Sequence, residues 1–212
     1  MKIFFNGCSW TYGEELKNPE ETRYSKLICN HFNAEETNIA ISGGSNSRVL
    51  RTTLLDHDMS QYDLAIIQFT TNSRTEYFDD SYQKWRNINI SGVHKTSRKN
   101  IVRKFHQHPE GIHNLEHINF WADHFSSIYT DTYGESEEEI CFKSIRNHFE
   151  IQKTPYLLIT IKSKNQDYDF NLNRRIYPIA VRQHPNELGH YMISRDLIKL
   201  IESRYSHLKI KK

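Results

Sequence analysis

Two apolar runs constrain this chain more than any other feature: DLAIIQF at 63–69 and YLLITI at 156–161. Neither run alternates with polar residues. A strand with one face in water would do so, whereas a parallel strand covered by helices on both faces reads as a nearly unbroken apolar run. Each run therefore predicts an interior strand of a parallel sheet. Two further runs join them, KIFF near the N-terminus and TNIAI at 37–41, the second closed by Gly43-Gly44. Between the runs, Tyr24, Leu27, Ile28 and Phe32 recur at helical spacing, as do Val49, Leu50, Thr53 and Leu54. Near the C-terminus Ile193, Leu197, Leu200 and Ile201 share one helix face. Strands alternating with helices predict an α/β fold: a mainly parallel sheet of about five strands between helical layers.

One segment departs from the alternation. From about Phe78 to about Gly111 the chain is polar, basic and histidine-bearing, without a clear period. Two helices are predicted after it. The first carries Ile118, Ala122, Phe125 and Tyr129. The second opens on Glu135, Glu137, Glu138 and Glu139, which suits the positive end of a helix dipole. We read 78–125 as an insertion in a single domain spanning 1–212, folded over the carboxyl edge of the sheet, where open α/β sheets bind ligands. A solvated excursion without a role is the alternative.

Composition narrows the partners. The formal net charge of +2 over 212 residues gives no reason to expect nucleic acid or an anionic membrane as a partner. No run approaches the ~18 apolar residues of a spanning helix, and no basic-then-apolar leader opens the sequence, so a soluble, cytoplasmic protein is expected. Cys8, Cys29 and Cys141 have no metal-type spacing and are odd in number, which argues against a disulfide framework.

Four stretches carry chemistry. In NGCSWTYG (6–13) a strand ends on a glycine-bounded turn, the geometry that exposes a hydroxyl and aims backbone N–H groups at the same space. Ser9 there is either a nucleophile or a helix cap. In NIAISGGSNSRVL (38–50), Gly43 can bring a backbone N–H close to a developing oxyanion, or simply form a turn. After DLAIIQF, Asn72 can donate its amide to the same oxyanion, and Arg74 and Glu76 follow it. In RQHPNELGHYMI (182–193), Pro185 suits the first turn of the last helix and places His184 at its entrance, where it can act as a general base. Arg74, Glu76 and Arg182 are the candidate substrate-binding residues: the arginines can hold a polar or anionic substrate group, or pair with Glu76 and other surface acids.

Taken in order, Ser9, Gly43, Asn72 and His184 resemble the four blocks of the SGNH (GDSL-type) hydrolase family. GCSWTYG resembles that family's G-D-S-x-T-x-G, and HPNELGH its H-P-N-x-x-G-H. The resemblance runs end to end, except for the region between the third and fourth blocks. It implies a three-layer, flavodoxin-like α/β/α domain and a serine esterase that removes a small acyl group from a polar, carbohydrate-type ester. Ser9 and His184 would be catalytic; Ser9, Gly43 and Asn72 would form the oxyanion hole, and no cofactor would be needed. A non-catalytic binding protein on the same fold, and an acyltransferase using the same site, are the alternatives.

Three positions depart from the family pattern. Cys8 stands where the first block has Asp, and Thr70 and Ser73 where the third has Gly and Asp. Val181 stands three residues before His184, where the family places the acid that orients the histidine. A backbone carbonyl, or an acid from elsewhere such as Glu76 or Glu187, would have to take its place. Between Cys8 and Ser9 the block places Ser9 at the reacting position, although a thiol is the better intrinsic nucleophile. The histidines at 94, 106, 108, 113, 117 and 124 lack the full spacing of a metal site, so no metal is expected.

Overall fold

A computed structural model describes residues 1–90, 98–107, 115–129, 131–161, 167–173 and 175–206. The chain opens with β1 (Lys2–Asn6), the four-residue α1 (Ser9–Tyr12), α2 (Pro19–Thr22) and α3 (Tyr24–Phe32), then β2 (Glu35–Asn38). It continues through α4 (Asn46–Leu55) into β3 (Leu64–Phe69), a hairpin of β4 (Arg74–Asp79) and β5 (Lys84–Asn89), and α5 (Arg98–Gln107). Then come α6 (Leu115–Asp123), a π-helical segment at His124–Ile128, α7 (Asp131–Gln152), β6 (Tyr156–Thr160), the short β7 (Phe170–Asn171) and α8 (Glu187–Arg204).

The main sheet has five strands in the order β2-β1-β3-β6-β7, and every pairing is parallel. The unbroken apolar runs account for this, because each strand interior feeds two cores. In β3, Leu64 and Ile66 face one core with Ile3, Phe5, Leu157 and Ile159; Ala65, Ile67 and Phe69 face the other with Phe4 and Leu158. Helices α3 and α8 pack together over the first core, and α4 and α7 over the second. Fully burying one such Ile, Leu or Phe side chain contributes about 1.5–3 kcal/mol, so the two cores dominate the fold's stability. Among the described residues no helix is long and apolar enough to cross a membrane.

The second strand begins and ends earlier than the apolar run at 37–41 suggests. It is Glu35–Asn38, an edge strand held by the register of β1 against Glu35, Glu36, Thr37 and Asn38. The hairpin is the larger surprise. It begins at Arg74, ahead of the expected start near 78, and its regular antiparallel pairing runs from Arg74↔Asn89 to Asp79↔Lys84. Its apolar face is thin: Ile88 joins Ile90, Ile101, Ile118, Ala122, Phe125 and Tyr129 in a small third core. Polar pairs supply the rest, with Arg86 bonded to Asp79 at 2.6 Å and Arg51 to Glu76.

The chain leaves β1 toward β2 on one side and later returns to β3 on the other. At such a reversal of strand order the carboxyl ends of neighbouring strands open a crevice. The turns after β1, β2 and β3, and the loop that follows β7, carry Ser9, Gly43, Asn72 and His184.

Candidate active site

After β1 the chain turns on Gly7. A Cβ at that position would stand 2.6 Å from Thr11 Oγ1 and 2.8 Å from Gln68 Cβ, so only glycine fits. Cys8 is the N-cap of α1, its carbonyl accepting the N–H groups of Thr11 and Tyr12, each at 3.0 Å. Ser9 is the first helical residue and is only 3 % exposed. Gly13 ends the helix in the left-handed region at φ +91°, and Glu15 adopts φ +69° two residues later. A left-handed conformation is uncommon for glutamate and costs about 1–3 kcal/mol. It turns the Glu15 side chain back toward the loop before α8.

That loop is a tight hairpin. Ala180 N–H donates to the His184 carbonyl at 2.7 Å, Gln183 N–H to the Ala180 carbonyl at 3.0 Å, and Ile179 forms an antiparallel bridge to Pro185. Asn186 caps α8, its side chain accepting Gly189 N–H at 2.9 Å. Pro185 thus precedes the cap instead of occupying the first turn, because its bridge to Ile179 keeps it in the hairpin. Gly189 lies against the Pro178 carbonyl, which seats the hairpin on the start of the helix.

The turn and the hairpin meet at three side chains. His184 Nε2 lies 3.0 Å from Ser9 Oγ, and His184 Nδ1 lies 2.9 Å from Glu15 Oε2. The same carboxylate accepts the Arg182 N–H at 2.8 and 3.1 Å and the His184 N–H at 3.3 Å. Partial burial opposes charge on Glu15. The Arg182 N–H and both donors of His184 outweigh it and hold the carboxyl below the usual carboxylate range. Since Glu15 accepts at Nδ1, that nitrogen carries the proton, and Nε2 is free to accept from Ser9.

Glu15 is the residue that sequence reasoning missed. Val181, where an acid was sought, is 98 % exposed at the hairpin tip. Glu76 directs both carboxylate oxygens to Arg51, at 2.8 and 3.1 Å, so its position in β4 serves an ion pair and not the histidine. Glu187 is exposed on the first turn of α8. The one available signal was the pair Glu14-Glu15 directly after GCSWTYG, on the same turn as Ser9.

The remaining expected residues lie on neighbouring turns and strands of the sheet's carboxyl side. Gly43 has φ +75°, and among the described residues its N–H makes no hydrogen bond, whereas Gly44 N–H closes a turn on the Ile41 carbonyl at 3.2 Å. Arg74 Nη1 donates to the Gly44 carbonyl at 3.2 Å. Asn72 lies where the loop after β3 meets α7; its Cβ is 3.1 Å from the place a Cβ would take on Gly134. The loop itself is latched by Asn46, which accepts the Thr70 N–H at 2.8 Å and donates to the Thr70 carbonyl at 3.2 Å. Arg182 contributes its backbone N–H, and its side chain is exposed.

Cys8 points inward and is fully buried. Burial raises the pKa of the thiol, but the nearby charge of Arg74 and hydrogen bonds from the Trp10 N–H and Gln68 outweigh that, leaving it below its ordinary value. His190, six residues after His184, is also buried. It accepts the Tyr24 N–H at Nδ1 (3.1 Å) and stacks on the Tyr24 ring. Burial, with the charges of His184 and Arg23, pushes its pKa down to about 3, so it is a neutral core residue near neutral pH.

Of the insertion's histidines, those at 94, 108 and 113, and the side chain at 106, lie outside the described residues. His117 meets the Tyr77 ring, and His124 is packed among Phe120, Trp121, Phe125 and Tyr129. Among the described residues no three His, Cys, Asp or Glu side chains are grouped to hold a metal ion.

No known family model matches the sequence, and no curated protein matches it. Solved structures do. A lipase from a goat rumen metagenome aligns over 99% of this chain and 100% of its own, at 11% identity and TM-score 0.54. A two-domain esterase active on acetylated mannans aligns over 99% of this chain and 50% of its own, at 15% identity and TM-score 0.49, so this chain spans half the length of that protein. An acetyl xylan esterase from the rumen bacterium Butyrivibrio proteoclasticus aligns over 97% of this chain and 64% of its own, at 10% identity and TM-score 0.46. The α/β fold expected from the sequence, a mainly parallel sheet of about five strands between helical layers, is the fold observed.

Proposed function

We propose that this protein is a serine esterase that removes a small acyl group from a polar ester, through Ser9, His184 and Glu15. The observation that carries the reading is the hydrogen-bonded series Ser9 Oγ, His184 Nε2, His184 Nδ1, Glu15 Oε2, with steps of 3.0 and 2.9 Å. Nucleophile and base lie within the reach that proton transfer requires. Glu15 supplies the acid that position 181 lacks, which removes the main argument for a non-catalytic relative.

In the proposed reaction Ser9 Oγ attacks the acyl carbonyl while His184 Nε2 takes its proton. Glu15 keeps Nδ1 protonated, fixes the ring and stabilises the imidazolium that forms. The Ser9 and Gly43 N–H groups and the Asn72 amide receive the oxyanion. His184 then protonates the leaving alcohol, and a water activated by the same ring releases the acyl group. The 3 % exposure of Ser9 supports a small acyl group such as acetyl. A carbohydrate or similar hydroxyl-rich alcohol fits the polar hairpin whose first residue, Arg74, reaches the Gly43-Gly44 turn.

The reading is tested with p-nitrophenyl acetate and acetylated oligosaccharides, comparing wild type with Ser9→Ala and His184→Ala. Wild-type turnover that falls to background in both variants is the expected result. Equal rates in wild type and Ser9→Ala would rule the mechanism out.

A further inference from the structure

On β3 the residues facing the α3/α8 core run Leu64, Ile66, Gln68. The third is a carboxamide where the pattern calls for another apolar side chain, and it is fully buried. A buried amide costs free energy unless its groups are bonded. All of them are. Oε1 accepts the Cys8 N–H at 3.2 Å and the Thr11 hydroxyl at 2.8 Å; Nε2 donates to the Phe69 carbonyl at 2.9 Å and to Cys8 Sγ at 3.2 Å. Because Thr11 donates to Gln68, the Tyr24 hydroxyl, 2.6 Å away, must donate to Thr11. The directions of the whole chain are thereby set from α3 to the nucleophile turn.

We propose that Gln68 is a positioning residue for the nucleophile, acting through Cys8; the proposal rests on the Ser9 reading above. Two observations point this way. Gly7 admits the Gln68 side chain as well as Thr11, since a Cβ there would lie 2.8 Å from Gln68 Cβ, 2.9 Å from its Oε1 and 2.6 Å from Thr11 Oγ1. The turn that carries Ser9 is therefore seated directly on this side chain. Second, the Ser9 hydroxyl has two acceptors in view, His184 Nε2 at 3.0 Å and Cys8 Sγ at 3.8 Å. The sulfur already receives the Gln68 amide and the Trp10 N–H. Occupying the sulfur biases the Ser9 proton toward His184, the direction that attack requires. Removing the amide takes away one of the sulfur's donors, leaving the Trp10 N–H, so the sulfur competes more strongly for the Ser9 proton. It also leaves the Cys8 N–H unpaired at the base of the turn.

The test compares wild type, Gln68→Leu and Gln68→Met by active-site titration with a fluorophosphonate, kcat and KM on p-nitrophenyl acetate, and thermal melting. A role in positioning predicts kcat per titrated site and the fluorophosphonate labelling rate both lower by about tenfold or more, with KM within about twofold. Thr11→Val, which removes one Gln68 partner from the helix side, should show a smaller loss of the same kind and provides the reading if both Gln68 variants fail to fold. Variants that melt lower but keep wild-type kcat per titrated site would overturn the proposal and leave Gln68 a structural residue. A wild-type protein that takes up no fluorophosphonate would overturn the Ser9 reading, and this proposal with it.

Discussion

Glu15 Oε2 lies 2.9 Å from His184 Nδ1, and both oxygens of that carboxylate also accept the backbone N–H of Arg182, two residues before the histidine. One side chain therefore orients the His184 ring and fastens the hairpin on which the ring is mounted. An acid placed on the hairpin itself could do the first of these but not the second.

The acid should behave as part of the site and not as a surface charge. Glu15→Gln keeps the shape of the side chain but removes the anion, and kcat is expected to fall about 10²- to 10⁴-fold with a smaller change in KM. Val181→Asp introduces an acid at a position that is 98 % exposed. It should neither alter wild-type activity more than about twofold nor rescue Glu15→Gln, and steady-state kinetics on the three variants check both points.

Glu15 also links stability to acid. Its folded pKa is depressed while an unfolded glutamate titrates near ~4.3. Below that value the unfolded chain binds more protons, so the contribution is complete above about pH 4.3 and is lost as pH falls through the depressed folded value. Urea midpoints of wild type and Glu15→Gln should converge on acidification, with wild type the more stable near neutral pH.

A second acid sensitivity begins at higher pH. His190 has a folded pKa of about 3, against about 6.5 in an unfolded chain. Between these values only the unfolded state takes up the proton, so stability falls as pH drops from about 6.5, by on the order of 3 kcal/mol at about pH 4. His190→Asn retains an acceptor for the Tyr24 N–H and should flatten this slope, read from urea midpoints at successive pH values.

Glu76 separates stability from catalysis. Its side chain is 4 % exposed and faces Arg51, which is 17 % exposed. Glu76→Gln leaves Arg51 with Asp56, at 3.0 Å, as its remaining carboxylate partner and is expected to cost about 1–3 kcal/mol of stability. Ester hydrolysis by the folded protein should stay within about threefold of wild type, as thermal melting and initial rates below the transition would reveal.

What could be read from the sequence followed local physics. DLAIIQF and YLLITI announced doubly covered strands because burial on both faces leaves a mark at every position. Glu35–Asn38 carries no such mark, since an edge strand takes its register from β1 and not from its own side chains. The β4–β5 hairpin was hidden for a related reason. Arg86 pairs with Asp79 within the hairpin, Glu76 reaches Arg51 of α4 and Arg74 the Gly44 carbonyl, so polar contacts replace the apolar alternation that betrays a half-buried strand. Ser9 and His184 stood out because motif spacing is local. Glu15 did not, because its approach to His184 depends on a left-handed backbone at Glu15 and on a hairpin 167 residues away.

Ser9 and Glu15 ride on a single turn, and His184 is the lone member of the series carried by the other segment. Lifting the 178–186 hairpin would break both of its links at once, with no state in which the histidine keeps one partner and loses the other. On the proposed mechanism, the switch between an armed and a disarmed Ser9 is then a docking equilibrium of one short hairpin. The Glu15 carboxylate, which accepts the Arg182 and His184 backbone N–H groups, contributes to that docking beside the packing of the Pro178 carbonyl on Gly189.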